Sequence, residues 1–187
     1  MADQKVLVIC GSLRKGSYNA ALARALPALA PEGMKLIMAP PIGTFPLYNA
    51  DIQEASGFPP DAEDLATAIR GADAVLFVTP EYNWSMPGVL KNAIDWVSRM
   101  KDQPFKEKPV AIQSASQGPL GGARMQYHWR MSMTFLAAFI FGTPEVFIGL
   151  AQTKFDKDTL ELKDQPTKDA IKAQLAAFAK FIERVKV

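Results

Sequence analysis

Three short stretches of this chain concentrate the residues that can hold or transform a ligand. The first is Gly11-Ser12-Leu13-Arg14-Lys15-Gly16-Ser17-Tyr18-Asn19. Its glycines permit a tight backbone, Ser12 and Ser17 bring hydroxyls, and Arg14 carries a planar fork that matches phosphate oxygens. A helix starting there adds free N–H groups and the positive end of its dipole. These are the parts of a phosphate cradle. They are equally the parts of a capped strand–helix turn, with Ser17 as N-cap and a solvated Arg14-Lys15 pair, and the residues alone leave both readings open. Gly11 and Gly16 have the glycine spacing of a P-loop, but Ser17 stands where that loop needs Lys and Tyr18 where it needs Ser or Thr. No G-x-G-x-x-G occurs here either. A triphosphate hydrolase and a Rossmann dehydrogenase are disfavoured, and a terminal monophosphate fits better.

The second stretch is Thr79-Pro80-Glu81-Tyr82-Asn83-Trp84-Ser85-Met86-Pro87-Gly88, and the third runs from Ser114 to Gly122. Gly121-Gly122, with Arg124 nearby, reads as a second anion site or as a simple tight turn. Elsewhere the sequence mostly excludes. One cysteine rules out an internal disulfide framework and any multi-cysteine metal site, and one histidine rules out two-histidine zinc motifs. No G-x-S-x-G elbow supports a serine hydrolase. Cys10 reads as a buried structural thiol, since no adjacent acid or histidine favours its thiolate. His128 reads as a surface or packing residue. A formal charge of +2 gives no drive toward nucleic acid. No apolar run is long enough for a signal-peptide core or a membrane span, so the expected compartment is the cytoplasm.

These stretches must be positioned by the elements around them. Lys5–Cys10 and Ala74–Thr79 are short continuous apolar runs, as expected of parallel strands buried on both faces. Met34–Met38, Pro109–Ala115 and Glu145–Ile148 complete five strands. Helices are expected at Asn19–Leu29, around Leu65–Ile69, at Met86–Met100 with Ser85 as N-cap, from Gly121 toward Met133, and at Thr167–Val185. The pattern predicts one domain over residues 1–187, an α/β fold with an open, doubly wound, five-stranded parallel sheet. Such sheets bind ligands beyond the carboxyl ends of their strands, where strand order reverses. All three chemical stretches follow strands. The Pro-rich connection 39–60 is long enough to suggest function, with Leu47-Tyr48-Asn49 covering a cleft. On the 86–100 helix, Lys91, Asp95 and Arg99 form a solvated charge face, and Trp96 lies beside it, off the core stripe.

The stretches GSLRKGSYN at 11–19, TPEYNWSMPGVLKNAIDWVSR at 79–99 and SASQGPLGGARMQ at 114–126 resemble the NADPH-dependent FMN reductase family of flavodoxin-like proteins, and within it the bacterial quinone and chromate reductases. The resemblance implies that Ser12, Arg14, Ser17, Tyr18 and Asn19 hold the FMN phosphate end. It places Pro80, Glu81, Tyr82 and Asn83 along the isoalloxazine, largely through backbone groups. Ser114, Ser116 and Gly118 would border the ring's other side. Trp84 stands where a tyrosine is common in this branch.

The function implied is an FMN-dependent oxidoreductase of flavodoxin-like fold. It takes hydride from NADPH or NADH and reduces quinones or other small acceptors such as chromate, azo compounds or free flavin. No side-chain acid or base and no metal is required, because the flavin carries the chemistry. The alternative is a non-enzymatic FMN-binding electron carrier that meets protein partners, against which the +2 charge argues. The resemblance implies a homodimer. Trp96 and the 80–88 loop are expected at the dimer contact, with Arg124 and Glu145 joining a further contact that makes a homotetramer.

Overall fold

In the computed structural model, which describes residues 3–186, the apolar runs pair into one parallel sheet. Its strands are β1 (Gln4–Cys10), β2 (Met34–Met38), β3 (Ala74–Val78), β4 (Pro109–Ala115), β5 (Phe139–Ile140) and β6 (Val146–Ile148). The order is β2-β1-β3-β4-β5, with β6 also on β4. One strand was expected at the far edge, and two short ones share it. β5 pairs with the start of β4, Pro109 opposite Phe139, and β6 with its end, Ala115 opposite Ile148. Pro144 lies between them and has no N–H to give a continuous ladder.

Alternation along the strands sends side chains to two cores. Leu7, Ile9, Phe77 and Ile112 meet α3 (Pro60–Arg70), α4 (Gly88–Val97) and α5 (Ala123–Phe135). Val6, Val8, Leu76 and Val78 meet α1 (Tyr18–Ala25) and α6 (Gln165–Val185) on the opposite face. The result is the expected three-layer α/β architecture, with the chain reversing direction across the sheet at β1 and β3.

Element ends depart from the sequence reading for local reasons. The first helix gives way after Ala25 to a 3-10 turn, Leu26–Leu29, because Pro27 cannot donate the next helical hydrogen bond. The fourth starts at Gly88 rather than Met86, since Ser85 is taken up in a backbone pairing with Tyr82. The fifth starts at Ala123 because Gly121 and Gly122 sit in the left-handed region at φ 60° and 90°. The last starts at Gln165, where the Asp164 carboxylate accepts from Thr167 N. An unexpected helix, α2 (Ala50–Ser56), begins inside the 39–60 connection under the side-chain cap of Asn49.

Trp96 overturns one expectation. It is 0% exposed. Its indole N–H donates to Pro46 O at 2.8 Å and its ring meets Tyr48 edge-on. Asn92 reinforces the same contact, donating to Pro46 O and accepting from Tyr48 N. The 39–60 segment is thus strapped onto α4, and Leu47-Tyr48-Asn49 does not line the cleft described below. A helical wheel places Trp96 off the core stripe. The strap that covers it comes from a segment with no sequence periodicity.

One buried contact joins the first and third chemical stretches. The Asn19 amide, at the start of α1, donates to Ala115 O and accepts from Ala115 N, both at 2.9 Å. Both backbone groups of Ala115 are thereby satisfied by one side chain. Replacing Asn19 by Ala strands them in a buried setting and is expected to cost about 2–3 kcal/mol. Urea unfolding checks this; a loss below about 0.5 kcal/mol would show that water or a shift of β4 replaces the clasp.

Candidate functional site

The loops after β1, β3 and β4 meet at the carboxyl edge of the sheet, where β2 and β3 flank β1. Between them lies a cleft of about 380 Å³ lined by Ser12, Arg14, Ser17, Tyr18, Asn19, Pro80, Glu81, Tyr82, Ala115, Ser116 and Gln117. The first loop runs close to the sheet because residue 11 is glycine. A Cβ there would stand 2.0 Å from Thr79 Oγ1, so no other residue fits without moving β3.

The first loop is a wall of donors. None of the backbone N–H groups from Ser12 to Asn19 donates to a protein acceptor among the described residues. The Ser17 oxygen caps α1 by accepting from Ala20 N at 3.2 Å, which leaves its proton free for the cleft. Arg14 is exposed at the rim and makes no ion pair among the described residues. Capped turn and donor wall are therefore the same object. Tyr18 closes this end, its ring 5.4 Å from Phe155.

The second loop is rigid. Tyr82 and Ser85 exchange two backbone hydrogen bonds around Asn83 and Trp84, whose φ angles of 50° and 65° are left-handed. Pro80 and Tyr82 face the cleft, while Asn83 sits at the turn tip and does not line it. Glu81 contributes to the lining, yet its carboxylate is turned to α5, accepting from Met125 N. Gly121-Gly122 is accordingly a turn whose helix end is already engaged by this chain's own carboxylate.

The third loop divides. Ser116 borders the cleft, and Ala115 and Gln117, which lie within the expected loop Ser114–Gly118 but were not singled out, border it too. Gln117 is a polar residue between two expected contacts, so its position in the loop was the available signal. Ser114 and Gly118 do not line the cleft. The Ser114 hydroxyl is fully buried, donating to Gly121 O at 2.6 Å and accepting from Gln126 Nε2 at 2.7 Å. Gly118 is turned to Gly121 and Leu150 by its carbonyl.

Cys10 ends β1 behind the first loop, its thiol directed to Ser12 O at 3.8 Å. Burial pushes the Cys10 thiol above its ordinary value, outweighing the lowering by that hydrogen bond and by Arg24. His128 is exposed on α5, with Nδ1 2.9 Å from Ser85 Oγ.

Chemically, one end of the cleft is a set of unpaired N–H groups, hydroxyls and a guanidinium, suited to a phosphate dianion. The other is a stiff proline-led loop with backbone groups and a tyrosine, suited to a flat ring with polar edges. That donor set fits FMN.

Comparison with known proteins agrees with this chemistry. Residues 4–153 match the model of the NADPH-dependent FMN reductase family. The chain is 52% identical over 183 residues to a quinone reductase of Escherichia coli (strain K12), covering 98% of this chain and 97% of that one. It is 49% identical over 184 residues to an NAD(P)H-dependent FMN reductase of Pseudomonas aeruginosa, covering 98% of each. The solved structure of FerB, a flavoenzyme NAD(P)H:(acceptor) oxidoreductase from Paracoccus denitrificans, superposes with a TM-score of 0.86 at 34% identity, over 97% of this chain and 98% of that one. With likeness of this extent in sequence and in fold, the chain belongs to the NADPH-dependent FMN reductase family.

Proposed function

We propose that this chain is an NAD(P)H-dependent quinone reductase that holds FMN in the three-loop cleft, and the observation that carries the reading is the unpaired donor wall from Ser12 to Asn19. When bound, FMN supplies the redox chemistry, accepting hydride from NADPH or NADH and passing electrons to a quinone. Ser12, Ser17, Arg14 and the loop N–H groups bind the phosphate. Tyr18 and the Asn19 clasp close that end. Pro80, Glu81 and Tyr82 orient the ring from one side, with Ser116 and Gln117 at the other. Asn83 and Ser114 act through the loops they shape, and Gly118 lies at the back of the third loop. No side chain is asked to move a proton in this reading. Chromate, azo compounds and free flavin are further acceptors, since a small oxidant needs only access to the ring. An electron carrier for protein partners would present a strongly acidic face, which a chain of net charge +2 does not favour.

The purified protein, loaded with FMN, should oxidise NADPH with a soluble quinone. FMN at 100 times its dissociation constant should raise stability by about 2.7 kcal/mol, or roughly 5–11 °C in Tm. Arg14→Ala should weaken FMN by about 10- to 100-fold, the worth of a charge-assisted hydrogen bond, and leave riboflavin affinity unchanged. Titration of both ligands checks this. Equal loss for the two would remove the phosphate from this loop, and no quinone turnover by the loaded protein would remove the activity.

The same reading includes a homodimer through the groove between α4 and α5. Trp96, being buried, cannot be its anchor. Met131 and Phe135 of α5 are instead 70% and 83% exposed, beside Lys91 and Asp95 of α4 and Arg99 just past its end. Lys91 and Asp95 pair at 2.6 Å. Large apolar side chains at such exposure, one helical turn apart, are suited to a partner surface. A homotetramer through Arg124 and Glu145 would use charges that already have partners, Glu81 and Trp84 for the first and Arg130 and Tyr127 for the second. Phe135→Asp, at a site that contributes little to the core, should convert the dimer to monomer in light scattering at micromolar concentration. A mutant of unchanged mass would place the contact elsewhere.

Cys10 has no part in the proposed chemistry. Its thiol, half-buried where a buried one was expected, is held protonated by that partial burial and should react with iodoacetamide at neutral pH more slowly than free cysteine, and turn fully reactive only in denaturant. Rapid alkylation of the folded protein would contradict this.

A further inference from the structure

The second loop contains strain that its own residues do not relieve. Asn83 and Trp84 are consecutive non-glycine residues in the left-handed region. A two-residue turn of this hand prefers glycine at its second position, where this chain has a tryptophan that is 69% exposed. Backbone of this kind persists where surrounding structure over-determines it. The surrounding structure here is the first two turns of α5.

Four contacts run from the loop to that helix. Glu81 Oε2 accepts from Met125 N at 3.1 Å, inside the first turn, where N–H groups lack helical partners and the dipole favours negative charge. Glu81 Oε1 lies 3.9 Å from Arg124 NH1, and the Glu81 side chain is only 15% exposed. The Arg124 guanidinium also sits over the Trp84 ring, 4.5 Å from its centroid. Ser85 Oγ, at the far end of the turn, meets His128 Nδ1 at 2.9 Å. Arg124 therefore links the loop's acid to its strained residue, and among the described residues Glu81 is the one loop side chain that bonds to helix backbone.

We infer that Glu81 is a positioning residue: its carboxylate, seated on the N-terminus of α5, holds Pro80–Ser85 in the shape that faces the flavin ring. The inference rests on the cleft being the FMN site, and it separates the backbone of Glu81, which faces the ring, from its side chain, which does not. It predicts that the ring end of the ligand, not the phosphate end, feels the loss of this carboxylate.

The test compares Glu81→Ala with Glu81→Gln, which retains an oxygen for Met125 N but not the charge. In the protein without flavin, hydrogen exchange at the amides of Tyr82 and Ser85 should accelerate about tenfold in Glu81→Ala and by less in Glu81→Gln. Riboflavin and FMN should both bind about tenfold more weakly to Glu81→Ala, so that their ratio stays at the wild-type value, with Glu81→Gln intermediate. Arg14→Ala in the same titration should change the ratio. If exchange at 82 and 85 is unaltered and both Glu81 variants lose turnover equally, the carboxylate acts directly on the reactants and the positioning role is wrong. If riboflavin affinity survives Glu81→Ala while Arg14→Ala behaves as expected, the positioning role fails and the FMN site stands. If Arg14→Ala leaves the ratio unchanged as well, the site itself is misplaced. Should Glu81→Ala not fold, Arg124→Ala gives the weaker form of the experiment, with faster exchange at 82–85 expected and unchanged exchange counting against the clip.

Discussion

The two-way hydrogen bond between the Asn19 amide and the Ala115 backbone is the contact on which the geometry of the cleft depends. It joins the first turn of α1 to the last residue of β4, 96 positions away, across the intervening strand β3. A parallel sheet fixes spacing along its ladders, but the loops beyond its carboxyl edge have no ladder. Something must tie them to one another. An asparagine does so with both faces of its amide, and it satisfies a donor and an acceptor that the end of the ladder leaves open.

Around that clasp the site is built from loops held by their neighbours. Gly11 lets the first loop pass against Thr79. The third loop is held from below by buried amides. Gln126 Nε2 donates to Ser114 Oγ and to Val146 O, and Ser114 donates to Gly121 O. Gln113 and Gln174 continue the layer, Gln174 reaching Pro144 O at 2.9 Å. This polar layer runs under the break between β5 and β6, where backbone groups leave the ladder and need partners. Order at the cleft thus comes from side chains whose polar atoms are engaged by the fold, Asn19 and Glu81 of the lining among them, while the N–H groups of the first loop are left unpaired toward a ligand. That division of labour suits a cofactor enzyme, in which the protein orients and the bound group reacts.

Much of this was legible in the residues. The apolar runs of β1, β3 and β4, short and bounded by turn residues, favour buried parallel strands, and their spacing by helical patterns leaves few topologies. The GSLRKGSYN stretch marked the donor wall, because glycine, hydroxyl and guanidinium act there through local geometry. Other features were invisible for a shared reason. Trp96 falls off the helix stripe and is covered by a strap without periodicity. Ser114 was placed at the ligand, and the turn of the Glu81 carboxylate toward α5 was not legible, because polar residues in a site loop face either way, and only the neighbouring helix decides which. The helix starts at 88 and 123 moved because Ser85 was claimed by Tyr82, and because two glycines adopted positive φ.

By itself, then, the sequence determined what neighbouring residues can settle among themselves: buried strands from continuous apolar runs, the stretches between them that become helices, and a phosphate-binding composition within nine consecutive positions. The tertiary structure alone decided which polar side chains serve the ligand and which serve the fold. Those choices are made by partners far apart in the chain, Asn19 with Ala115, Glu81 with Met125, Trp96 with Pro46. A hydrogen bond stabilises only when both groups arrive at about 2.9 Å with the right direction, and no periodicity in a sequence encodes that arrival.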